Sequence, residues 1–123
     1  MKRKVLLSLM FWLFIITAPA FACLIAIAQF PLEAEVPLHW GFSGQADSWG
    51  SPWSMLPASL IMCGANALMG ISYRYSDKLY DMGLVHGVSR KAARPFLCGA
   101  AMVLVIVMVV ILIWWVIAAK ATM

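Results

Sequence analysis

Three long runs of apolar residues, separated by shorter polar segments, dominate the chain. The runs extend from Val5 to Ala28, from Met55 to Ile71 and from Phe96 to Ala119. About 20 apolar residues in succession are enough for a helix to cross the hydrocarbon core of a bilayer. The pattern therefore predicts a single all-α integral membrane domain with three transmembrane helices, over about residues 5–29, 53–82 and 90–119.

The polar segment between the first two runs, residues 30–52, is predicted to be a structured loop. Its stretch from Pro37 to Gly50 contains three glycines and two tryptophans, and no lysine or arginine occurs between Pro31 and Pro52. Glycine permits sharp turns, and tryptophan is favoured where a membrane meets water. We therefore expect a compact loop at the membrane surface. A shorter loop, about residues 83–89, is expected before the third helix.

The composition indicates that lipid is the main solvent of the chain. The 123 residues are 64% hydrophobic and 11% charged, with a mean hydropathy of +0.92, whereas soluble domains are about 25% charged. The net charge of +4 comes from clusters outside the apolar runs, so the expected partner is the lipid bilayer and not nucleic acid. The three cysteines lie within the apolar runs at no metal-binding or redox spacing, and we expect no disulfide framework and no cofactor.

The first apolar run has a second interpretation. A basic start, an apolar core and Ala20-Phe21-Ala22 before Cys23 imitate the cleavage site of a signal peptide. However, Phe21 is bulky for such a site, and the apolar residues continue beyond Cys23. An uncleaved transmembrane helix is therefore the preferred interpretation.

The positions of the basic residues predict the orientation of the chain. Cytoplasmic loops carry an excess of lysine and arginine. Here the N-terminal segment and the second loop carry almost all of them, and the C-terminus carries only Lys120. We expect a cytoplasmic N-terminus, with the first loop and the C-terminus outside. The aromatic residues predict the same orientation, because they gather where each helix is expected to leave the membrane. The tryptophans at the outer surface are Trp40, Trp49, Trp53, Trp114 and Trp115, and the tyrosines at the inner surface are Tyr73, Tyr75 and Tyr80.

The first loop also carries a short motif. A proline, a histidine two positions later and an aromatic residue precede Gly-x-x-Asp and a Gly-Ser pair, at Pro37, His39, Trp40, Gly44, Asp47, Gly50 and Ser51. This motif resembles the signature of a small bacterial membrane domain of unknown function that occurs at the N-terminus of SdpI-type immunity proteins. The resemblance covers roughly residues 5–69. It implies a multi-pass protein of the bacterial cytoplasmic (inner) membrane with a characteristic outer loop, and it does not imply an enzyme.

This chain departs from the immunity proteins in two respects. Pro52 stands where the family often has a lysine, and only one further helix is predicted here, where the longer immunity proteins have several. Their immunity and signalling activity therefore does not follow from the motif alone.

The candidate site for ligand binding or for shaping the loop consists of Pro37, His39, Trp40, Phe42, Gly44, Asp47, Trp49 and Gly50. A histidine beside a carboxylate can bind a metal, with Glu33 or Glu35 as a further ligand, or can hold a loop through a hydrogen bond. Zinc sites usually have several histidine or cysteine ligands, so we expect no metal and prefer a structural role, in which His39 and Asp47 form hydrogen bonds with each other or with loop amides. The aromatic residues suit a pocket for a peptide or lipid tail, but anchoring in the headgroup region is the preferred interpretation.

Small residues in the apolar runs predict where helices come close together. Gly64 and Gly70 in the second helix and Gly99 in the third allow close packing. Asn66 is expected to form a hydrogen bond between helices, worth about 1 kcal/mol or less. Three helices bury little surface, so we expect a homo-oligomer or a larger membrane-protein partner.

Three functions remain open at this point. The first is a non-enzymatic binding module whose outer loop recognises a peptide, a lipid headgroup or a partner protein. The second is an accessory subunit of a larger membrane complex. The third and least favoured is a metal-dependent membrane hydrolase that uses His39, Asp47 and Glu35.

Overall fold

The computed structural model of the protein describes residues 2–122 and is mostly helical. The elements in chain order are α1 (Lys2–Ile27), β1 (Val36–Trp40), β2 (Ala46–Gly50), a 3₁₀ turn (Pro52–Met55), α2 (Leu56–Arg74), α3 (Ser76–Asp81) and α4 (Arg90–Ala121). Within residues 2–122, three helices are long and apolar enough to cross a membrane: α1, α2 with its preceding 3₁₀ turn, and α4. The arrangement is that of a multi-pass membrane protein.

The first loop contains a β-hairpin, so the expectation of a purely α-helical chain is corrected. Strands β1 and β2 pair antiparallel, with Val36 opposite Gly50 and Trp40 opposite Ala46. The register is irregular on either side of His39. The chain reverses through a tight turn in which Gly44 adopts a φ of +81°, a conformation that glycine reaches without steric cost. This hairpin occupies the centre of the segment that we expected to be an outer loop.

The second predicted helix is divided in the structure. It was expected over about residues 53–82, but α2 ends at Arg74 and α3 begins at Ser76, with Tyr75 between them at φ −104° and ψ 22°. Gly83 instead follows the short helix α3, with a φ of +73°, and its N–H donates to the Tyr80 carbonyl at 3.0 Å.

Helix α4 begins where the sequence predicts. The Ser89 hydroxyl accepts a hydrogen bond from the Ala92 N–H at 3.2 Å, which is the geometry of an N-cap. Arg90 then forms salt bridges with Asp77 and Asp81 of α3. These contacts hold the short helix α3 against the start of α4.

Two of the residues singled out for helix packing, Asn66 and Gly70, lie at contacts between the helices. Asn66 is fully buried, and its Nδ2 donates to the Ile15 carbonyl of α1 at 3.0 Å. A Cβ atom at Gly70 would lie only 3.2 Å from the Trp12 ring, so the backbones of α1 and α2 approach closely there. Gly64 and Gly99 face open space in this single chain. Their predicted role in contacts with another chain stays a prediction.

Two buried clusters form the interior. One lies towards the N-terminal end of α1 and contains Trp12, Ile15 and Ala101. The other joins the C-terminal ends of α1 and α4 to the hairpin, and its members include Cys23, Phe30, Val36, Leu112 and Trp115. The hairpin is therefore part of the core at that end of the bundle, and we call this end the hairpin end.

Candidate functional site

The hairpin is anchored to the helices by a buried tryptophan. Trp115 on α4 is 1% exposed, and its indole Nε1–H donates to the Pro37 carbonyl of β1 at 2.9 Å. The ring of Phe30, between α1 and β1, lies 5.3 Å from the Trp115 ring. A buried carbonyl without a donor is costly, so this contact fixes the position of β1 on the bundle.

The inner side of the hairpin adds further contacts. Val36 is fully buried, and Leu38 packs against the same cluster. The Trp40 ring lies 4.7 Å from the Trp114 ring at an interplanar angle of 57°, within the range of attractive aromatic pairs. Three alternate positions of β1 thus face the helices, as the period of a strand requires.

His39 and Asp47 lie on the exposed part of the hairpin and contact each other. His39 Nδ1 and Asp47 Oδ1 are 2.7 Å apart, and the two side chains are 71% and 52% exposed. The preferred hydrogen bond between them is thus confirmed. With the Nδ1 proton donated to the carboxylate, the Nε2 atom has no protein partner within residues 2–122 and stays available to a ligand.

The turn holds its shape through backbone hydrogen bonds. The Gly44 N–H donates to the Gly41 carbonyl at 3.0 Å, and the Gly41 N–H donates to the Gln45 carbonyl at 2.9 Å. This is a three-residue hairpin loop with glycine in the left-handed position. A Cβ atom at Gly41 would lie 3.3 Å from Asp47 Oδ2, so the carboxylate rests directly against the turn.

Large aromatic side chains are exposed beside this polar pair. Phe42, at the tip of the turn, is fully exposed, while Trp49 and Trp53 are 47% and 46% exposed. Gly50 is pressed against Leu38, where an added Cβ atom would lie 2.7 Å from Leu38 Cδ1. Of the aromatic residues that the sequence singled out, Trp40 is an anchor, whereas Phe42 and Trp49 are presented to the surroundings.

Metal ligands do not gather at this site. Across residues 2–122, no group of three or more histidine, cysteine, aspartate or glutamate side chains is arranged to hold a metal ion. The structure therefore brings together His39 and Asp47 but does not add Glu33 or Glu35 as ligands. The arrangement can donate and accept hydrogen bonds and can offer aromatic surface.

The sequence did not reveal the anchoring role of Trp115. Its position near the end of the third apolar run indicated only an interfacial tryptophan. Its hydrogen-bond partner, Pro37, lies 78 residues away in the chain. The requirement that a buried indole N–H find an acceptor was the available signal, but it does not identify the acceptor.

Comparison with known proteins supports the relation of this region to a recognised domain. Residues 6–63 match the family model described as a domain of unknown function, DUF1648. Searches of curated proteins and of solved structures found no match. The matched region contains most of α1, the hairpin and the first part of α2, and Trp115 lies outside it.

Proposed function

We propose that this protein is a non-enzymatic membrane module whose hairpin binds an exposed peptide segment, either free or part of a partner protein. The observation that carries the proposal is the division of the hairpin into two sides. One side is fixed to the bundle through Trp115, while Phe42 and Trp49 are exposed beside the His39–Asp47 pair. Exposed aromatic residues on a rigid support lose little entropy on binding and are common at binding hot spots.

The proposal places the hairpin on the outer face of a bacterial cytoplasmic membrane, with the N-terminus in the cytoplasm. The clustering of lysine and arginine at the opposite end of the helices supports this orientation. The resemblance of the hairpin motif to SdpI-type immunity proteins supports an extracellular peptide as the ligand class. The match of residues 6–63 to a domain of unknown function, in a chain with three helices apolar enough to cross a membrane, is compatible with both points.

A photo-crosslinking residue in place of Ser43, at the exposed turn, tests the proposal in intact cells. We expect a discrete crosslinked product that disappears in His39→Ala and Asp47→Ala variants present at the parent level in the membrane. A matched crosslinker in place of His86, in the exposed loop before α4, should not form that product. Absence of a product at position 43, or its persistence in both variants, refutes the proposal.

The accessory-subunit alternative is favoured by a separate observation. Gly64 on α2 and Gly99 on α4 have no atom within 4 Å of the place where a Cβ would stand, so both helices retain surfaces that another helix can approach closely. Purification in a mild detergent distinguishes the two functions. Co-purification of a larger membrane protein in constant stoichiometry supports the accessory-subunit function. A partner found only as the crosslinked product at position 43 supports the binding module.

A further inference from the structure

A groove lies at the end of the bundle opposite the hairpin. It has a volume of about 890 Å³ and is bordered by α1, α2 and the start of α4. Three cationic side chains, one from each helix, line it together with apolar residues: Lys4, Arg74 and Arg94. We call it the basic groove.

The cations of the basic groove lack acidic partners. Of the five acidic residues, Asp77 and Asp81 both bind Arg90, and the other three lie in or just before the hairpin. Within residues 2–122, none of the three groove cations forms a salt bridge. The groove therefore carries an uncompensated positive charge.

Arg94 is held in place by contacts that leave part of its guanidinium free. Its Nε–H donates to the Tyr73 carbonyl at 3.1 Å, and the guanidinium lies 5.4 Å from the centre of the Tyr73 ring. The two Nη groups have no protein acceptor within residues 2–122. Arg74 is likewise placed 5.9 Å from the centre of the Tyr75 ring. Two positioned guanidinium groups at one opening suit a phosphate, which accepts paired hydrogen bonds.

The interior of the groove is apolar. Val5 and Leu9 of α1 and Ile71 of α2 line it, and Trp12 lies among them with 7% of its surface exposed. Gly70 also lines this wall, and its lack of a side chain lets the Trp12 ring pack closely against α2. These residues belong to helices that are apolar enough to cross a membrane, so a hydrocarbon chain suits the groove better than water does.

We propose that the basic groove binds one anionic phospholipid. Its phosphate contacts the guanidinium groups of Arg74 and Arg94, Lys4 adds a third positive charge, and one acyl chain lies along the apolar wall. Basic pockets between transmembrane helices recognise lipid headgroups by this combination of charge and apolar depth. A zwitterionic lipid would bring the ammonium group of its headgroup close to the three cationic side chains of the groove, and this repulsion disfavours its binding. The site is separate from the hairpin and does not depend on the function proposed above.

Native mass spectrometry of the full-length protein in a mild detergent tests this site. Phosphatidylglycerol, phosphatidylcholine and phosphatidylethanolamine with identical acyl chains are titrated in turn. We expect one phosphatidylglycerol to bind about tenfold more tightly than the other two lipids. Arg74→Gln and Arg94→Gln should each weaken phosphatidylglycerol binding roughly fivefold, the effect of one charge near the headgroup.

Lys91→Gln is the matched control, because Lys91 lies on the same helix as Arg94 but does not line the groove. It should leave the affinity almost unchanged. Equal binding of phosphatidylglycerol and phosphatidylcholine, or an equal loss in Lys91→Gln, overturns the proposal in favour of diffuse surface charge. Displacement of phosphatidylglycerol by glycerol 3-phosphate also overturns it, because the ligand is then a soluble phosphate.

Discussion

Replacement of Trp115 by phenylalanine separates the hydrogen bond that anchors the hairpin from the aromatic packing around it. The variant keeps a ring beside Phe30 but removes the donor to the Pro37 carbonyl. Loss of a partner from a buried polar group costs about 1–3 kcal/mol. The smaller ring leaves a cavity that adds about 1 kcal/mol. Together these effects destabilise the docked hairpin by about 2–4 kcal/mol.

Hydrogen exchange of the hairpin amides, measured by mass spectrometry in detergent micelles, reports this loss. If the hairpin opens locally, its protected amides should exchange roughly 30- to 700-fold faster in Trp115→Phe, since 1.4 kcal/mol corresponds to a factor of ten. The exchange rates of amides in the middle of α2 should be unchanged, so these amides serve as the internal reference.

Trp114→Phe is the control for this experiment. Trp114 is 52% exposed, and its ring contacts the Trp40 ring in a tilted arrangement. Its replacement by another aromatic ring should cost less than about 1 kcal/mol. If both variants accelerate exchange of the hairpin equally, or if Trp115→Phe has no local effect, the anchoring role of the Trp115–Pro37 bond is refuted.

Changes at four further positions test the packing and the turn. Asn66→Ala should lower stability in detergent by about 1 kcal/mol, because the interhelical hydrogen bond to the Ile15 carbonyl is lost; a loss several times larger contradicts this. Gly44→Ala should destabilise the hairpin by about 1–2 kcal/mol, because a residue with a Cβ atom is strained at a φ of +81°. Gly44→Asn should have a smaller effect, and faster hydrogen exchange of the hairpin amides measures both losses. Gly64→Leu and Gly99→Leu should not reduce the stability of the monomer, since both positions face open space; weaker self-association in crosslinking would identify a contact between chains.

The membrane-spanning elements were predictable because their signal is local. Continuous apolar runs specify these helices without knowledge of any tertiary contact, and Ser89 marks the start of α4. The break at Tyr75 was not predictable in this way. No glycine or proline lies between Gly70 and Gly83 to mark a break, and the division between α2 and α3 accompanies the contact of α3 with Arg90.

The hairpin was missed because its sequence is a weak strand signal. Gly50, Asp47 and Pro37 are unfavourable in strands, and β2 lacks the alternation of apolar and polar residues. Packing of β1 on α4 compensates for these poor local preferences. The His39–Asp47 bond was predictable, because the two residues flank a glycine-rich turn within nine positions of the chain. The Trp115–Pro37 contact depends on how distant helices meet, which the local pattern does not specify.

The most direct test of this account is the side of the membrane on which the hairpin lies. Ser43 and His86 are exposed, in the turn of the hairpin and in the loop before α4 respectively, and each is replaced by cysteine in a background whose three native cysteines are serine or alanine. A membrane-impermeant maleimide should label Ser43→Cys in intact cells and His86→Cys only after the cells are opened. Labelling of His86→Cys but not Ser43→Cys in intact cells, or a mature protein that begins at Cys23, contradicts the account.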